Sequence, residues 1–170
     1  MSVSQSDNLT LRESFRKTDL LGKSAFCLSS WFGSGLVPIA PGTFGTLTAT
    51  PLVVALCYLD SFVAGLLLLF IIILAVWSAG LSERILGRID PPEVVIDEVA
   101  GFAVTVFLLP PSWPVIILGF ALFRLFDIFK PFPIGTVEKR VKGGIGIVLD
   151  DLLAGIYSNL LIRLMLWLFI

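Results

Sequence analysis

Histidine is absent from this 170-residue chain, and cysteine occurs only as Cys27 and Cys57. The first absence removes histidine nucleophiles, histidine general bases and histidine-rich metal sites. The two thiols lie far apart in sequence and form no Cys-x-x-Cys pair, so free apolar thiols are expected rather than a disulfide framework or a thiolate metal site. Charge is scarce as well: 15% of residues are charged against 56% hydrophobic, and mean hydropathy is +0.97. A soluble domain carries far more charge, so the chain reads as an integral membrane protein with one compact domain. A signal-peptide pattern is missing too. Met1 to Lys23 is polar and mixed in charge (Arg12, Glu13, Arg16, Lys17, Asp19), with no apolar core after a short basic start. Residues 1–19 are therefore expected to form a mobile or interfacial cytoplasmic tail, and residues 20–170 a single membrane-embedded domain.

What is present is a series of apolar runs separated by proline, glycine and charge. The expected fold is all-α: a polytopic membrane helical bundle of about five spans, with an N-terminal interfacial helix and a Gly/Pro-rich loop. Leu20 to Phe32 suits an amphipathic helix at the interface. Gly33 to Gly45 holds two prolines and four glycines, Gly33, Gly35, Gly42 and Gly45, which disfavours a regular helix and leaves a re-entrant loop or a plain connector. The predicted spans are Thr46–Leu59 (interrupted by Pro51), Ser61–Ala79, Val94–Leu109, Val115–Phe129 and Asp150–Ile170. Pro110-Pro111-Ser112-Trp113-Pro114 forms a reversal with an interfacial Trp, and Ile134–Gly146 a basic, glycine-rich loop. No internal repeat stands out.

Orientation follows from Lys and Arg. Arg12, Arg16, Lys17 and Lys23 precede the first span. Arg84 and Arg88 follow the second, and Lys130, Lys139, Arg140 and Lys142 follow the fourth. The turns near Asp60 and Pro111 carry none, so the N-terminus is expected in the cytoplasm and the C-terminus outside. On that topology Asp97 and Glu98 open the third span, Asp127 lies near the end of the fourth, and Asp150 and Asp151 open the fifth. Three antiparallel helices thus present acids at one depth on the cytoplasmic side. Acids so crowded repel unless protons, basic residues or metal ions intervene, and a metal is the economical answer. All-oxygen ligands favour Mg2+ over zinc.

The neighbours fit a phosphate site. Arg124, Asp127 and Lys130 share a helix face at i, i+3, i+6, and the two cations can grip phosphate oxygens. The competing reading is a simple ion pair between Arg124 and Asp127 at the interface. Gly143, Gly144 and Gly146 precede Asp150-Asp151 and can turn backbone N–H groups toward an anion, or merely form a turn before an Asp-capped helix. Gly101, Ala154 and Gly155 lie one turn beyond the acids, where small residues let helices approach. Arg163, some three turns into the last span, has no assigned role.

Gly33-Ser34-Gly35 with Pro38 and Ala40-Pro41-Gly42-Thr43, then Ile96-Asp97-Glu98 with Gly101, then Phe123-Arg124 with Phe126-Asp127 and Lys130-Pro131-Phe132-Pro133, then Gly143-Gly144 with Gly146, Asp150-Asp151 and Ala154-Gly155, together resemble the phosphatidylglycerophosphatase A family. The likeness runs from Gly33 to Gly155. It implies a bacterial inner-membrane, magnesium-dependent lipid phosphatase that converts phosphatidylglycerol phosphate to phosphatidylglycerol. By this resemblance Asp97, Glu98, Asp127, Asp150 and Asp151 are the metal and catalytic acids. Arg124 and Lys130 are contacts to the lipid headgroup, as are Gly33, Ser34, Gly35, Pro41, Gly42 and Thr43 of the loop, with Gly143 and Gly144 beside them.

Without His, and with neither Cys in a phosphate loop, two mechanisms remain. Metal-bound water can attack phosphorus directly, or an Asp can be phosphorylated; clustered acids favour the first. The rival from another class is a small ion-coupled transporter with the acids as cation or proton site. That reading asks for acids near the bilayer midplane and for inverted repeats.

Overall fold

The computed structural model of the chain describes residue 13 and residues 15–169, so the predicted tail lies largely outside the described residues. Residues 13 and 15–17 are helical, seven further α-helices follow, and no strand occurs among the described residues. The seven are α1 (Leu20–Ser29), α2 (Pro41–Cys57), α3 (Ser61–Leu86), α4 (Ile96–Val106), α5 (Trp113–Phe129), α6 (Ile134–Arg140) and α7 (Gly143–Phe169), with a 3-10 turn at Ser34–Leu36. Two of them, Ser61–Leu86 and Gly143–Leu168, are long and apolar enough to cross a membrane. Outward from α3 point Phe62, Leu66, Leu69, Phe70 and Ile73, each more than half exposed. An apolar stripe of that size marks a surface for contact with lipid or another apolar partner.

Several boundaries differ from the sequence expectation. Helix α2 begins inside the Gly/Pro-rich segment, with Pro41 in its first turn, where its fixed φ suits a helix and its missing N–H costs nothing. It then runs straight through Pro51. Helix α3 extends to Leu86 and stops at Gly87, whose φ of 64° is left-handed. Helix α7 starts at Gly143 rather than Asp150, so the glycines expected in a loop are helical. Gly144 lies against the backbone of Val76 and Gly80 on α3, where any Cβ would collide; the glycines let two helices touch.

Helix α4 is the central element and the shortest of the predicted spans. Its 11 residues rise about 16 Å, roughly half a hydrocarbon core, and Val99, Ala100, Phe102, Ala103 and Val106 are almost wholly buried. Phe102 stacks with Phe123 of α5 at 6.2 Å and meets Phe120 edge-on at 6.0 Å. Buried hydroxyls inside the bundle bond to their own helix: Thr46 Oγ1 to Gly42 O (2.8 Å), Thr105 Oγ1 to Gly101 O (2.9 Å) and Ser158 Oγ to Ala154 O (2.8 Å). Ser29 of α1 and Ser82 of α3 share a buried bond of 2.7 Å.

Candidate active site

Asp97, Glu98 and Asp151 each offer a carboxylate oxygen to a group whose members all lie within 4.8 Å of one another. The first two sit in the first turn of α4; Asp151 lies two turns into α7. The helices meet this closely because Gly101 and Gly155 face each other. A Cβ on Gly155 would strike Gly101 O, and one on Gly101 would meet Asp151 O and the Phe123 ring. The two glycines thereby set how near Asp151 comes to α4.

The other two predicted acids stand beside this group. Asp127 neighbours Asp151 and pairs with Arg124, Oδ2 to Nη1, at 2.8 Å, while the same Nη1 lies 3.8 Å from Glu98 Oε1. Asp150 Oδ2 instead accepts from Lys130 Nζ at 2.7 Å, and Glu138 Oε1 holds the same ammonium at 2.8 Å. Consecutive helical residues point about 100° apart; Asp151 joins the group with Asp97 and Glu98 while Asp150 turns to Lys130. Burial pulls against the charge on Lys130, yet the Asp150 and Glu138 carboxylates win and hold it protonated beyond its usual range.

The Gly/Pro-rich segment divides into two parts. Gly33, with φ 94°, and Ser34 lead into a turn whose Gly35 packs on the Glu93 carbonyl. Glu93 is buried and accepts two bonds from Arg88 Nη2, at 2.9 and 2.8 Å. Val95 N–H donates to Ser29 O at 2.8 Å, and Gly45 fits over the Val95 side chain. This part braces the residues leading into α4. Pro41, Gly42 and Thr43 form the first turn of α2, and Gly42 touches the site: a Cβ there would collide with Glu98 Oε1 and lie 3.1 Å from Arg124 Nη1. Gly143 and Gly144 stand two turns before Asp151 and serve the α3–α7 contact.

The electrostatics are unbalanced in an informative way. Asp97 Oδ1, Glu98 Oε2, Asp150 Oδ1 and Asp151 Oδ2 are buried without a hydrogen-bond partner, and so are Nε and Nη1 of Arg124. The Arg124–Asp127 contact is an ion pair without aligned hydrogen-bond geometry. Buried polar groups are normally satisfied. Orphaned acceptors call for a cation and orphaned donors for an anion, and here both occur in one place. Three convergent carboxylates with free oxygens fit a hard divalent ion.

Sequence reasoning passed over Glu93, Arg88, Glu138 and Asn159. Asn159 Nδ2 reaches three carbonyls at the end of α4, those of Val104, Thr105 and Phe107 (3.3, 2.9 and 2.9 Å). Arg163, left without a role, joins it there. A polar pair at i, i+4 deep in an apolar helix was the available signal.

Comparison with known proteins finds relatives along most of the chain. The family model described as phosphatidylglycerophosphatase A matches residues 27–166. A Bacteroides thetaiotaomicron protein named "Putative phosphatidylinositol-3-phosphatase" is 40% identical over 149 residues, 82% of this chain and 92% of its own. Phosphatidylglycerophosphatase A of Escherichia coli (strain K12) is 36% identical over 132 residues, covering 77% of each chain. The Haemophilus influenzae protein of the same name is 37% identical over 139 residues, 79% of this chain and 84% of its own. No solved structure matches the chain. With both helices of the acid group and the Arg124 pair inside the matched residues, the chain belongs to the phosphatidylglycerophosphatase A family.

Proposed function

We propose that the chain hydrolyses the terminal phosphate of phosphatidylglycerol phosphate, with Mg2+ held by Asp97, Glu98 and Asp151. The observation that carries this reading is the juxtaposition of carboxylate oxygens and Arg124 N–H donors that have no hydrogen-bond partner. A divalent ion on the carboxylates and a phosphate monoester beside Arg124 would satisfy both. Mg2+ bound there would supply Lewis acidity toward the phosphoryl oxygens and a lowered pKa for a water it carries. Arg124 orients and neutralises the phosphoryl oxygens, and Asp127 holds that guanidinium in place. The first turn of α2, at Gly42 and Thr43, has backbone N–H groups free of intrahelical partners on the side of Glu98. Asp127, next to Asp151, is the carboxylate best placed to take a proton from attacking water.

The substrate reading is supported by a neighbouring basic cavity. Lys130, Thr136, Lys139 and Arg140 line a space of about 430 Å³ with Phe132 at its rim. Lys130 links it to the acids through Asp150. A headgroup with a second, diester phosphate matches that charge. The relatives' names fit this chemistry: two name phosphatidylglycerophosphate and one phosphatidylinositol 3-phosphate, both phosphomonoesters on the polyol of a phosphodiester lipid. Lys and Arg gather where the acids lie, at the end of α3 (Arg84, Arg88) and before α7 (Lys139, Arg140, Lys142). By the positive-inside rule that distribution supports a site at the cytoplasmic face of a bacterial inner membrane.

The test is phosphate release by purified protein in detergent. Turnover of phosphatidylglycerol phosphate should require Mg2+, vanish in EDTA and exceed turnover of phosphatidate, which has no diester phosphate. Full activity in EDTA would end the metal reading; preference for phosphatidate would end the substrate reading.

A further inference from the structure

Asp151, Gly155, Asn159 and Arg163 recur every four residues along α7, which sets them in one row on the helix. Each meets α4 at a different height. Asp151 shares the carboxylate group with Asp97 and Glu98 at the start of α4, and Gly155 touches the Gly101 carbonyl at its middle. Asn159 Nδ2 collects the carbonyls of Val104, Thr105 and Phe107 at its end. Arg163 Nη2 donates to Phe107 O (3.0 Å) and Leu108 O (3.1 Å), and its Nε to Asn159 Oδ1 (2.7 Å).

The last carbonyls of a helix have no intrahelical donor, and in hydrocarbon no water replaces one. Helix α4 stops at Val106, about half the depth of a bilayer from its acidic start, so its end needs donors from another chain segment. The only side chains donating to those carbonyls, among the described residues, come from the helix that carries Asp151. A one-residue slide or a rotation of α4 against α7 would break these bonds and move Asp97 and Glu98 away from Asp151 together.

We propose that Asn159 and Arg163 are positioning residues that lock the register of α4 against α7, and so set the spacing of the metal-binding carboxylates about 12 and 18 Å away along the helix, 8 and 12 residues at about 1.5 Å each. The inference rests on the metal reading above, and its logic is reciprocal: if the far clamp sets the carboxylate spacing, a filled metal site must in turn steady the far end.

Mn2+ is the direct probe, titrated into detergent-solubilised protein while free ion is followed by electron paramagnetic resonance. The wild type should bind it; no binding would defeat the metal reading itself. Given binding, Asn159→Leu should raise the Mn2+ Kd at least about tenfold, and the Mg2+ concentration for half-maximal activity by a similar factor. KM for lipid at saturating Mg2+ should stay within about twofold. Arg163→Lys, which retains a donor, should fall between wild type and Arg163→Met. A folded Asn159→Leu or Arg163→Met protein with unchanged Mn2+ affinity, even if its melting temperature drops, overturns the proposal. Hydrogen exchange on the wild type decides the matter without any variant. Saturating Mn2+ should slow exchange at least about threefold in a peptide covering 104–109, and no slowing there overturns it as well.

Discussion

Gly42→Ala isolates the contact between α2 and the candidate metal site. The added methyl would overlap Glu98 Oε1 and crowd Arg124 Nη1, so the Glu98 carboxylate or the start of α2 must shift by about 1 Å or more. Misplacement on that scale costs on the order of 100-fold in rate, about 2.7 kcal/mol of barrier. Stability should change far less. Replacing helical Gly by Ala gains about 0.5–1 kcal/mol, which partly offsets an overpacking cost of about 1–3 kcal/mol. The expected outcome is a folded protein with kcat down about a hundredfold and an increased Mg2+ requirement. Phosphate release and thermal unfolding in the same detergent measure the two effects. Gly65→Ala is the control: its nearest neighbour would be Phe107 Cζ at an ordinary 3.7 Å, and it should keep full activity. A Gly42→Ala enzyme with wild-type kcat and Mg2+ dependence would refute the placement of Glu98 at the site.

Asp97→Asn and Asp151→Asn should each lower turnover at least about a hundredfold, as judged by phosphate release, whereas Asp150→Asn should cost less because its partner is Lys130. Removing the basic rim with Lys139→Gln and Arg140→Gln should raise KM for phosphatidylglycerol phosphate several-fold and leave phosphatidate unchanged in parallel assays. Arg88→Met leaves the buried Glu93 unpaired; a loss of about 1–3 kcal/mol should appear as a lower melting temperature. A label on the N-terminal tail should be inaccessible from outside intact cells, and surface labelling would overturn the orientation.

The apolar runs made α3, α5 and α7 legible as helices, and α3 and α7 are the two long and apolar enough to cross a membrane. Boundaries were harder where glycine and proline were involved. Gly143 and Gly144 read as part of a loop, and they open α7 instead, with Gly144 set against Val76 and Gly80. Pro41 looked like a loop breaker and proved to be a helix starter. At the site, the sequence identified which acids share a depth but not their azimuth: the adjacent Asp150 and Asp151 look toward Lys130 and Asp97 respectively. Arg163 was opaque for a different reason. Its partners are main-chain carbonyls at and just beyond the end of α4; the Asn159–Arg163 spacing hints at a polar pair but does not say which carbonyls it meets.

Bulky exposed apolar side chains flank the site residues in sequence, Phe32, Leu36, Ile39 and Phe44 around the start of α2 and Ile128, Phe129 and Phe132 at the end of α5. A ligand with fatty tails would then arrive sideways, sliding in from the leaflet with its tails still solvated by neighbours. Turnover in mixed micelles should accordingly track the mole fraction of substrate in the surface, and dilution with inert detergent should slow the enzyme even when bulk concentration is held constant.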